Sequence, residues 1–470
     1  MAIRNPRTGL DDHRIDPLDS VTIDDLATSL RHRQPDWAAR SPETRAGILR
    51  RLAEAIDRHR EALAEALTID TGRRAISIIE VDGTIRAIDR WAARAPALIA
   101  SHSPDPRSSA VPGIELETRL VPYPLVGVIS PWNFPLTLAL IDAIPALAAG
   151  CAVIVKPSEV TPRFIGPLMQ AIAEVPELPI AVIEGDGTTG AAMVAAVDFV
   201  AFTGSVTTGR QVAVAAASAF IPASLELGGK DPMIILASAD PAWAARIALR
   251  ASVVNTGQAC QSIERLYVAR QIAEPFLAAL VELAEQVRLN DSDIGAGDIG
   301  PFIFAKQAAI VQAQIDDAVA RGAVVHCGGT VEQRGGLYLR PTVLTEVTPE
   351  MAIMREETFG PVLPVTPFAT IDEAVGLANQ GAFGLSAAVL AGTAAEAEAV
   401  AVRLEAGAIS INDGALTSMV ADAEKSSFGS SGLGPSRMGD SGLLRFFRKQ
   451  ALIRQTGVAL PLAAYAEDAR

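Results

Sequence analysis

The sequence predicts an α/β protein that contains two doubly wound parallel sheets. Short apolar runs alternate with helical segments between Ala152 and Ala219, and a second alternating series extends from about Met233 to Ile411. Strands that alternate with helices require right-handed crossovers, which place successive strands parallel to one another. At roughly 150 residues per domain, a chain of 470 residues has room for about two to four such units.

Two elements are predicted ahead of the first series. Ser41 is suited to cap a helix, with Pro42 at the first helical position and Glu43 in the first turn. Apolar residues then recur at helical spacing, which predicts an amphipathic helix packed on a larger surface. Further on, apolar and polar residues alternate from Ile114 to Leu120, as in a strand with one exposed face.

The elements of the first series follow from their hydrophobic pattern. Three short apolar runs are predicted to be strands: Ala152–Val155, Ile180–Ile183 and Phe199–Phe202. The segments after them are predicted to be helices: Arg163–Val175, Ala191–Val197 and Gly209–Ala219. This alternation is typical of a nucleotide-binding architecture.

The longest apolar stretch, from Pro135 to Val155, is long enough to suggest a membrane span. Asp142 and Pro145 lie near its middle, however, where a bilayer would penalise both a charge and a break in the helix. We therefore expect a buried helix followed by a buried strand, and no membrane partner.

Composition argues against several classes of protein. The 54 acidic and 40 basic residues give a net charge of −14, which disfavours binding to nucleic acid. Three cysteines cannot form a disulfide framework, and the N-terminus has no apolar signal segment, so a cytoplasmic location is expected. His326 and Cys327 are adjacent but have no companion ligands at metal-binding spacing, so no metal site is expected.

Two glycine-rich turns are candidate phosphate sites. Gly185-Asp-Gly187-Thr-Thr-Gly190 fits the G-x-G-x-x-G pattern, but the acidic residue expected about 20 residues further on is absent. An ordinary loop explains this segment at least as well. The turn from Phe202 through Gly204 and Ser205 to Gly209 also enters a helix, and its backbone N–H groups could bind a phosphate.

Cys260 and Glu226 are candidate catalytic residues, although each has a simpler interpretation. A single cysteine is more often buried packing than a nucleophile, but Cys260 lies among small and polar residues where a thiolate would be accessible. Glu226 ends an apolar run and could be an ordinary salt-bridge partner. None of the five histidines lies in a glycine-rich motif, so a hydrolase would need a histidine brought in from a distance.

Six segments together resemble the NAD(P)-dependent aldehyde dehydrogenase superfamily. In chain order they are Pro131-Trp-Asn-Phe-Pro135, Lys156-Pro-Ser-Glu159, Phe202-Thr-Gly-Ser205, Glu226-Leu-Gly-Gly-Lys230, Gly257-Gln-Ala-Cys260 and Glu356-Glu-Thr-Phe-Gly-Pro361. The resemblance extends from Asn5 to Gly434, nearly the whole chain. Each segment alone is a weak signal, but six in the family's order are hard to obtain by chance.

The resemblance implies an enzyme that oxidises an aldehyde to its carboxylic acid with NAD as hydride acceptor. Cys260 would be the nucleophile that forms first a thiohemiacetal and then a thioester. The side-chain amide of Asn133 and the backbone N–H of Cys260 would form the oxyanion hole. Glu226 would be the general base that directs water at the thioester.

The resemblance also assigns the cofactor site. Its residues would be Lys156 and Glu159 at the adenosine ribose, Gly204, Ser205 and Gly209 at the pyrophosphate, and Glu357 and Phe359 at the nicotinamide. Trp132 is assigned to the cofactor site as well. A carboxylate at Glu159 accepts hydrogen bonds from free ribose hydroxyls and repels a 2′-phosphate, which favours NAD while leaving NADP possible. The turn at Gly185 is then a neighbouring loop.

By the same resemblance, residues 1–106 and 123–228 form the NAD-binding domain and residues 229–440 form the catalytic domain. Residues 107–122 and 441–470 form a small β extension that pairs strands between subunits of a homodimer or homotetramer. Ile114–Val121 and the segment near Ala451–Gln455 are the candidates for its strands.

Departures from the family pattern leave the substrate open. Asp142 stands where many members carry a lysine, nine residues after the motif asparagine, and the C-terminal glycine loop is shorter than the common form. Arg265, five residues after Cys260, does not by itself imply an acidic substrate. The alternatives are a coenzyme A-acylating enzyme, whose relatives tend to lack the base glutamate, a non-catalytic protein on the same scaffold, and a cysteine hydrolase without cofactor.

Overall fold

The computed structural model of the chain describes residues 1–467. Its helices are α1 (Ser20–Ala38), α2 (Pro42–Arg58), α3 (Arg60–Thr71), α4 (Arg74–Ser101), α5 (Pro135–Leu140), α6 (Ala143–Ala149), α7 (Ile165–Ala173), α8 (Gly187–Ala196), α9 (Val206–Ser218), α10 (Pro241–Val253), α11 (Ala273–Glu285), α12 (Ala305–Ala320), α13 (Ala352–Arg355), α14 (Ile371–Ala378), α15 (Ala394–Ala401), α16 (Leu416–Met419) and α17 (Ser441–Leu444).

The strands are β1 (Ala2–Arg4), β2 (Asp11–Arg14), β3 (Arg107–Ser108), β4 (Ile114–Pro122), β5 (Leu125–Ile129), β6 (Ala152–Lys156), β7 (Ile180–Val182), β8 (Phe199–Thr203), β9 (Ala223–Glu226), β10 (Asp231–Ile235), β11 (Ile263–Ala269), β12 (Val324–Cys327), β13 (Glu332–Arg334), β14 (Gly336–Tyr338), β15 (Thr342–Thr345), β16 (Val362–Phe368), β17 (Phe383–Gly384), β18 (Ser386–Leu390), β19 (Ala408–Ile411), β20 (Phe428–Gly429), β21 (Gly432–Leu433) and β22 (Phe447–Gln455).

The first sheet has the strand order β21-β9-β8-β5-β6-β7, and only β21 runs antiparallel. Three of the five parallel strands, β6, β7 and β8, are the strands predicted from the alternating series, and β5 precedes and β9 follows that series in the chain. The predicted doubly wound α/β architecture is confirmed. The chain order reverses between β5 and β8, which lie side by side. Ligands of open α/β sheets bind outside the carboxyl ends of the strands at such a reversal. The ends of β5 and β8 therefore mark a candidate site.

The second sheet has the order β12-β15-β16-β11-β10-β18-β19 and is parallel except for the β12–β15 pair. Residues 227–230 connect the carboxyl end of β9 directly to the amino end of β10. This short connection brings the carboxyl edge of the first sheet close to the amino edge of the second, and the space between the two edges is where the predicted site residues lie.

Apolar cores cover both faces of each large sheet. In the first sheet, one core contains side chains from α2 to α7 and the other contains side chains from α1, α8 and α9. Two further cores cover the second sheet. Strands that are buried on both faces read as continuous apolar runs, which is why they could be located in the sequence.

A third sheet consists of β3, β4 and β22. β22 pairs antiparallel with β4 over its full length, from Phe447 opposite Pro122 to Gln455 opposite Ile114. The residues just before β22 pack on the first sheet, since Leu443 and Phe446 are fully buried in one of its cores. The division of the chain into domains stays a prediction.

The prediction of one buried helix after Pro135 is wrong in one respect, because two short helices, α5 and α6, separate at residues 141–142. Pro145 has no N–H to donate to a carbonyl four residues earlier, so a continuous helix would lose that hydrogen bond. Placed in the first turn of α6, the same proline costs nothing. Across residues 1–467, no helix is both long and apolar enough to cross a bilayer.

Candidate functional site

The carboxyl ends of four neighbouring strands carry most of the predicted site residues. Trp132 and Asn133 lie in the loop that follows β5, and Gly204 and Ser205 follow β8. Lys156 is the last residue of β6, and Glu226 is the last residue of β9. Because these strands are parallel and adjacent, their ends meet at one edge of the first sheet.

Cys260 lies between a tight turn and the start of β11, and it is half-buried. The turn contains three consecutive residues in the left-handed region, Asn255, Thr256 and Gly257, with φ of 59°, 59° and 68°. A β-branched residue such as Thr256 rarely adopts this conformation, and such strain persists only where the surroundings enforce it.

Hydrogen bonds hold this strained turn in place. Gln258 donates to the carbonyls of Asn255 at 3.1 Å and Pro301 at 3.3 Å, and its side-chain oxygen accepts from the N–H of Ile303 at 2.9 Å. The hydroxyl of Thr256 donates to the Gly300 carbonyl at 2.9 Å. The backbone that carries Cys260 is therefore fixed by at least four buried hydrogen bonds.

Asn133 is tied directly to the same turn. Its Nδ2 donates to the Gln258 carbonyl at 3.0 Å, which leaves the second N–H of the amide free of that contact. Its own backbone carbonyl accepts from Asn255 at 3.3 Å and from the Arg73 guanidinium. Asn133 is 2% exposed, and its amide is held against Gln258, two residues before Cys260.

The glycines at positions 228 and 229 allow the loop after Glu226 to pack against the predicted nucleophile. A Cβ at Gly229 would lie 2.8 Å from the carbonyl oxygen of Cys260, and a Cβ at Gly228 would lie 2.6 Å from the Glu357 carboxylate. Both distances are shorter than any real Cβ contact. Glu226 at the head of this loop is half-buried, and its Oε2 accepts a hydrogen bond from Ser427 at 3.3 Å.

Charges around the thiol act in opposite directions. Burial, together with the Asp231 carboxyl, raises the pKa of Cys260 to about 12, whereas Lys425 and Arg437 oppose the rise. The thiol is therefore protonated at neutral pH in this arrangement, and the two cations are the groups that favour its thiolate.

A buried ion pair shapes the loop that carries Glu357 and Phe359. Glu264 accepts hydrogen bonds from Lys230 and from the N–H groups of Thr358 and Phe359, each at 2.8 Å. Glu357 accepts from the Gly229 N–H at 3.1 Å, and burial, with the Glu264 charge second, raises its pKa to about 8.

The rings of Trp132 and Phe359 come together across the two sheets. Their centroids are 5.5 Å apart in an edge-on arrangement, and Trp132 lies 5.8 Å from Phe304 on its other side. Residues predicted from two separate motifs, 227 positions apart, thus form one aromatic wall.

Lys156 and Glu159 also lie together. The Lys156 ammonium is 3.6 Å from the Glu159 carboxylate and donates to the Gly185 carbonyl at 2.7 Å. Lys156 is nearly fully buried, whereas the Glu159 side chain is 35% exposed and available to a ligand.

The two glycine-rich turns differ in charge. Asp186 caps α8, and its carboxylate accepts from the Thr188 N–H at 2.8 Å, so a negative charge already occupies that helix N-terminus. Ser205 caps α9 through a neutral hydroxyl, and the first turn of α9 contains no acidic residue. The N-terminus of α9 is therefore a better phosphate site than the N-terminus of α8.

Sequence reasoning missed a buried charge cluster beside these residues. Asp142 is 1% exposed and forms ion pairs with Arg437, at 2.7 Å, and with Arg445. Arg437 also contacts the Thr203 hydroxyl, and Arg445 donates to Ser224 at 2.7 Å. Burial alone would raise the pKa of Asp142, but the two arginines hold it below its usual value. With one carboxylate and two guanidinium groups, the cluster carries a surplus of positive charge.

Arg265, in contrast, has its guanidinium bound to the backbone. Its guanidinium donates to backbone carbonyls, those of Lys230 at 2.9 Å and Ala378 at 2.9 Å among them. It is therefore a structural arginine, and it gives no indication of an acidic substrate.

Known proteins share both the sequence and the fold. A sequence model of the aldehyde dehydrogenase family matches residues 1–452. A putative NADP(+) succinate-semialdehyde dehydrogenase of Mycolicibacterium smegmatis is 37% identical over 442 residues, which cover 92% of this chain and 84% of that protein.

Two solved structures show the same architecture. The putative aldehyde dehydrogenase PutA of Anabaena variabilis is 51% identical, with a TM-score of 0.95 and 98% of each chain covered. Betaine aldehyde dehydrogenase of Staphylococcus aureus, solved in complex with NAD+, is 31% identical, with a TM-score of 0.91 over 98% of this chain and 92% of that chain. The chain therefore belongs to the aldehyde dehydrogenase family and is an oxidoreductase that acts on aldehydes with NAD(P).

Proposed function

We propose that the protein oxidises an aldehyde to a carboxylic acid, with Cys260 as nucleophile, Asn133 as oxyanion donor and Glu226 as general base. One observation carries this proposal. The loops that follow β5 and β9 both pack on the Cys260 turn, Asn133 through the Gln258 carbonyl and the Gly228–Gly229 segment through the Cys260 carbonyl.

Attack begins once the Cys260 thiol has lost its proton to solvent water, with Lys425 and Arg437 favouring the thiolate that remains. Its sulfur forms a bond to the aldehyde carbon, and the carbonyl electron pair moves onto oxygen. The Asn133 amide and the Cys260 N–H donate to that oxygen, and one such donor is typically worth about 3–4 kcal/mol. Bound NAD(P) supplies the acceptor for the hydride that then leaves the same carbon. Cys260 is left as a thioester.

Glu226 completes the cycle. Its carboxylate takes a proton from a water molecule whose oxygen attacks the thioester carbon. The C–S bond breaks, the acid leaves, and Cys260 is regenerated as a thiolate. Ser427 donates to Oε2, which leaves Oε1 of Glu226 for the water.

The residues present fit a dinucleotide. The uncharged cap of α9 suits a pyrophosphate, and the aromatic wall of Trp132 and Phe359 suits a flat ring. At the far end, the exposed Glu159 carboxylate beside Lys156 suits two free ribose hydroxyls. We propose that these groups hold the cofactor and that the protein prefers NAD to NADP.

Replacement of Glu159 by Gln is expected to relax that preference. The neutral amide no longer repels a 2′-phosphate, so the ratio of kcat/KM with NADP to that with NAD should rise at least about tenfold. Glu159→Asp, which keeps the charge, is the matched control and should leave the ratio low. An unchanged ratio in Glu159→Gln would mean that another residue excludes the phosphate.

Two of the relatives, the succinate-semialdehyde dehydrogenase and the betaine aldehyde dehydrogenase, have names that point to substrates of opposite charge. Succinate semialdehyde carries a carboxylate, and betaine aldehyde carries a quaternary ammonium group. Identity alone does not separate these two possibilities, since both relatives share about a third of their residues with this chain. The charged groups close to Cys260 can separate these two possibilities.

We also infer that the third sheet joins subunits into a homodimer or homotetramer, as the resemblance implies. β22 and the tail after it expose apolar side chains, Ile453, Val458, Leu460, Leu462 and Tyr465 being 67–93% exposed. A partner would cover this surface and the free strand edge. A monomeric mass by light scattering would overturn the inference. The cytoplasmic location stays a prediction.

The reaction is tested by following NADH absorbance over a panel of aldehydes, with and without coenzyme A. Turnover that needs NAD(P) but not coenzyme A, with acid as the product, is the expected result. A requirement for coenzyme A would favour the acylating alternative. Ester hydrolysis without any cofactor, in the absence of aldehyde oxidation, would favour a cysteine hydrolase.

A further inference from the structure

Lys425 is a cation without a carboxylate partner in the described part of the chain. The sequence contains five lysines, Lys156, Lys230, Lys306, Lys425 and Lys449. Lys156 and Lys230 are buried and form ion pairs, whereas Lys306 and Lys449 are exposed to solvent. Lys425 is half-buried, and its ammonium has one hydrogen-bond acceptor, the Thr417 carbonyl at 3.2 Å.

The backbone fixes the direction in which Lys425 can extend. Its N–H donates to the Ser436 hydroxyl, and Ser427, two residues on, donates to the Glu226 carboxylate at 3.3 Å. The side chain of the preceding residue, Glu424, turns the opposite way and binds Ser441. The segment therefore directs its acidic residue away from the general base and its basic residue towards it.

The charges that act on the ammonium support this direction. Burial lowers the pKa of Lys425, while the charges of Glu226, Cys260 and Asp231 oppose that shift, in that order. Glu226 is already hydrogen-bonded to Ser427, and Asp231 is hydrogen-bonded to Ser386. With the Thr417 carbonyl as its one hydrogen-bond acceptor, the ammonium keeps two of its three N–H groups for a ligand, and the charges of Glu226 and Cys260 act on it.

The neighbouring cation does not have this freedom. Arg437 is 7% exposed, and it is bound to Asp142 and to the Thr203 hydroxyl. Arg437 adds positive charge to the pocket, but its guanidinium is already bound to Asp142 and Thr203. Lys425 is therefore the group that can reach a ligand.

We propose that Lys425 binds a carboxylate at the far end of the aldehyde, so that the preferred substrates are ω-oxo acids. This inference rests on the proposed function, since it places the aldehyde carbon of the same molecule at Cys260. A substrate carboxylate would accept the unassigned N–H groups directly and form the ion pair that Glu226 and Asp231 do not form with Lys425. A quaternary ammonium aldehyde would instead meet two positive charges and is disfavoured.

Two other roles for Lys425 make different predictions. If its charge only favours the Cys260 thiolate, its loss must slow every aldehyde to the same extent. If it only anchors the loop through Thr417, its loss must lower the melting temperature and leave the ratio between substrates unchanged.

The test compares 4-oxobutanoate with its neutral methyl ester, under NAD saturation, in wild type and in Lys425→Met. Wild type should prefer the acid in kcat/KM, and Lys425→Met should lower kcat/KM for the acid by about 10- to 100-fold, mainly through KM. For the ester, the change should stay within about threefold. Lys425→Arg, which keeps the charge, should retain most of the preference.

Lys449→Met is the matched control, because it removes an exposed lysine from β22 and should change neither substrate. Equal losses for acid and ester in Lys425→Met would overturn the inference and assign the residue to the thiolate. Equal rates for acid and ester in wild type would overturn it as well. Failure of folded wild-type protein to oxidise either compound, or any aldehyde, would instead overturn the proposed function.

Discussion

Replacement of Cys260 by Ala is expected to abolish acid formation, with kcat at least about 10⁴-fold below wild type. Without the sulfur no thiohemiacetal forms, so there is no activated carbon from which a hydride can be transferred. NAD should still bind, because the α9 terminus, Lys156 and the Trp132–Phe359 wall do not depend on the thiol. NADH absorbance measures the first effect, and quenching of tryptophan fluorescence by NAD measures the second.

Cys327→Ala is the control for this experiment. Cys327 lies in β12 at the far edge of the second sheet, where its thiol contacts the Pro341 carbonyl. Its replacement removes a cysteine without approaching the reaction centre and should leave kcat unchanged. Aldehyde oxidation by Cys260→Ala at a rate near that of wild type would refute the role given to Cys260.

Replacement of Glu226 by Gln is expected to separate the two halves of the reaction. The amide cannot take a proton from water, so thioester hydrolysis should slow by about 10²- to 10⁴-fold. Hydride transfer does not need this proton, and a rapid burst of about one NADH per active subunit should precede the slow phase. Stopped-flow absorbance measures both phases.

An added nucleophile gives this prediction a second readout. Hydroxylamine attacks thioesters without the help of a base and should raise the slow phase of Glu226→Gln while leaving the burst unchanged. Glu396→Gln, which changes an exposed glutamate bound to Ser238, should behave as wild type. A normal steady-state rate in Glu226→Gln would remove Glu226 from the role of base.

Much of the fold could be predicted because its strands are buried on both faces. β6 and β8 lie within a residue of the apolar runs that predicted them, and Ser41 caps α2 as its sequence indicates. The helix boundaries are less accurate: α8 begins at Gly187, four residues before the predicted start, because the Asp186 cap fixes it. Cap residues of this kind are visible in the sequence only once the strand before them is placed.

Site residues could be predicted where a short sequence motif contains them, but not where their binding partners lie far away in the sequence. The motifs at Trp132, Glu226 and Phe359 identify residues that the structure brings together. Asp142 gave a clear signal, since a carboxylate in an apolar stretch requires a counter-charge. Its partners Arg437 and Arg445 are 295 and 303 residues away, a distance that no local pattern spans. The role proposed for Lys425 likewise depends on the residues that its loop contacts, and the sequence around Lys425 does not show them.

The last part of the chain completes the first sheet. β21 extends the β9 edge, Leu443 and Phe446 pack in the core of that sheet, and Ser427 donates to Glu226. Because synthesis starts at the N-terminus, the ribosome makes these residues long after Cys260 has left the exit tunnel. The growing chain therefore contains Cys260 and an open β9 edge before it contains the segment that covers them. A chain truncated near residue 424 would leave the β9 edge uncovered. We expect such a chain to aggregate or bind chaperones rather than to act as a slow enzyme.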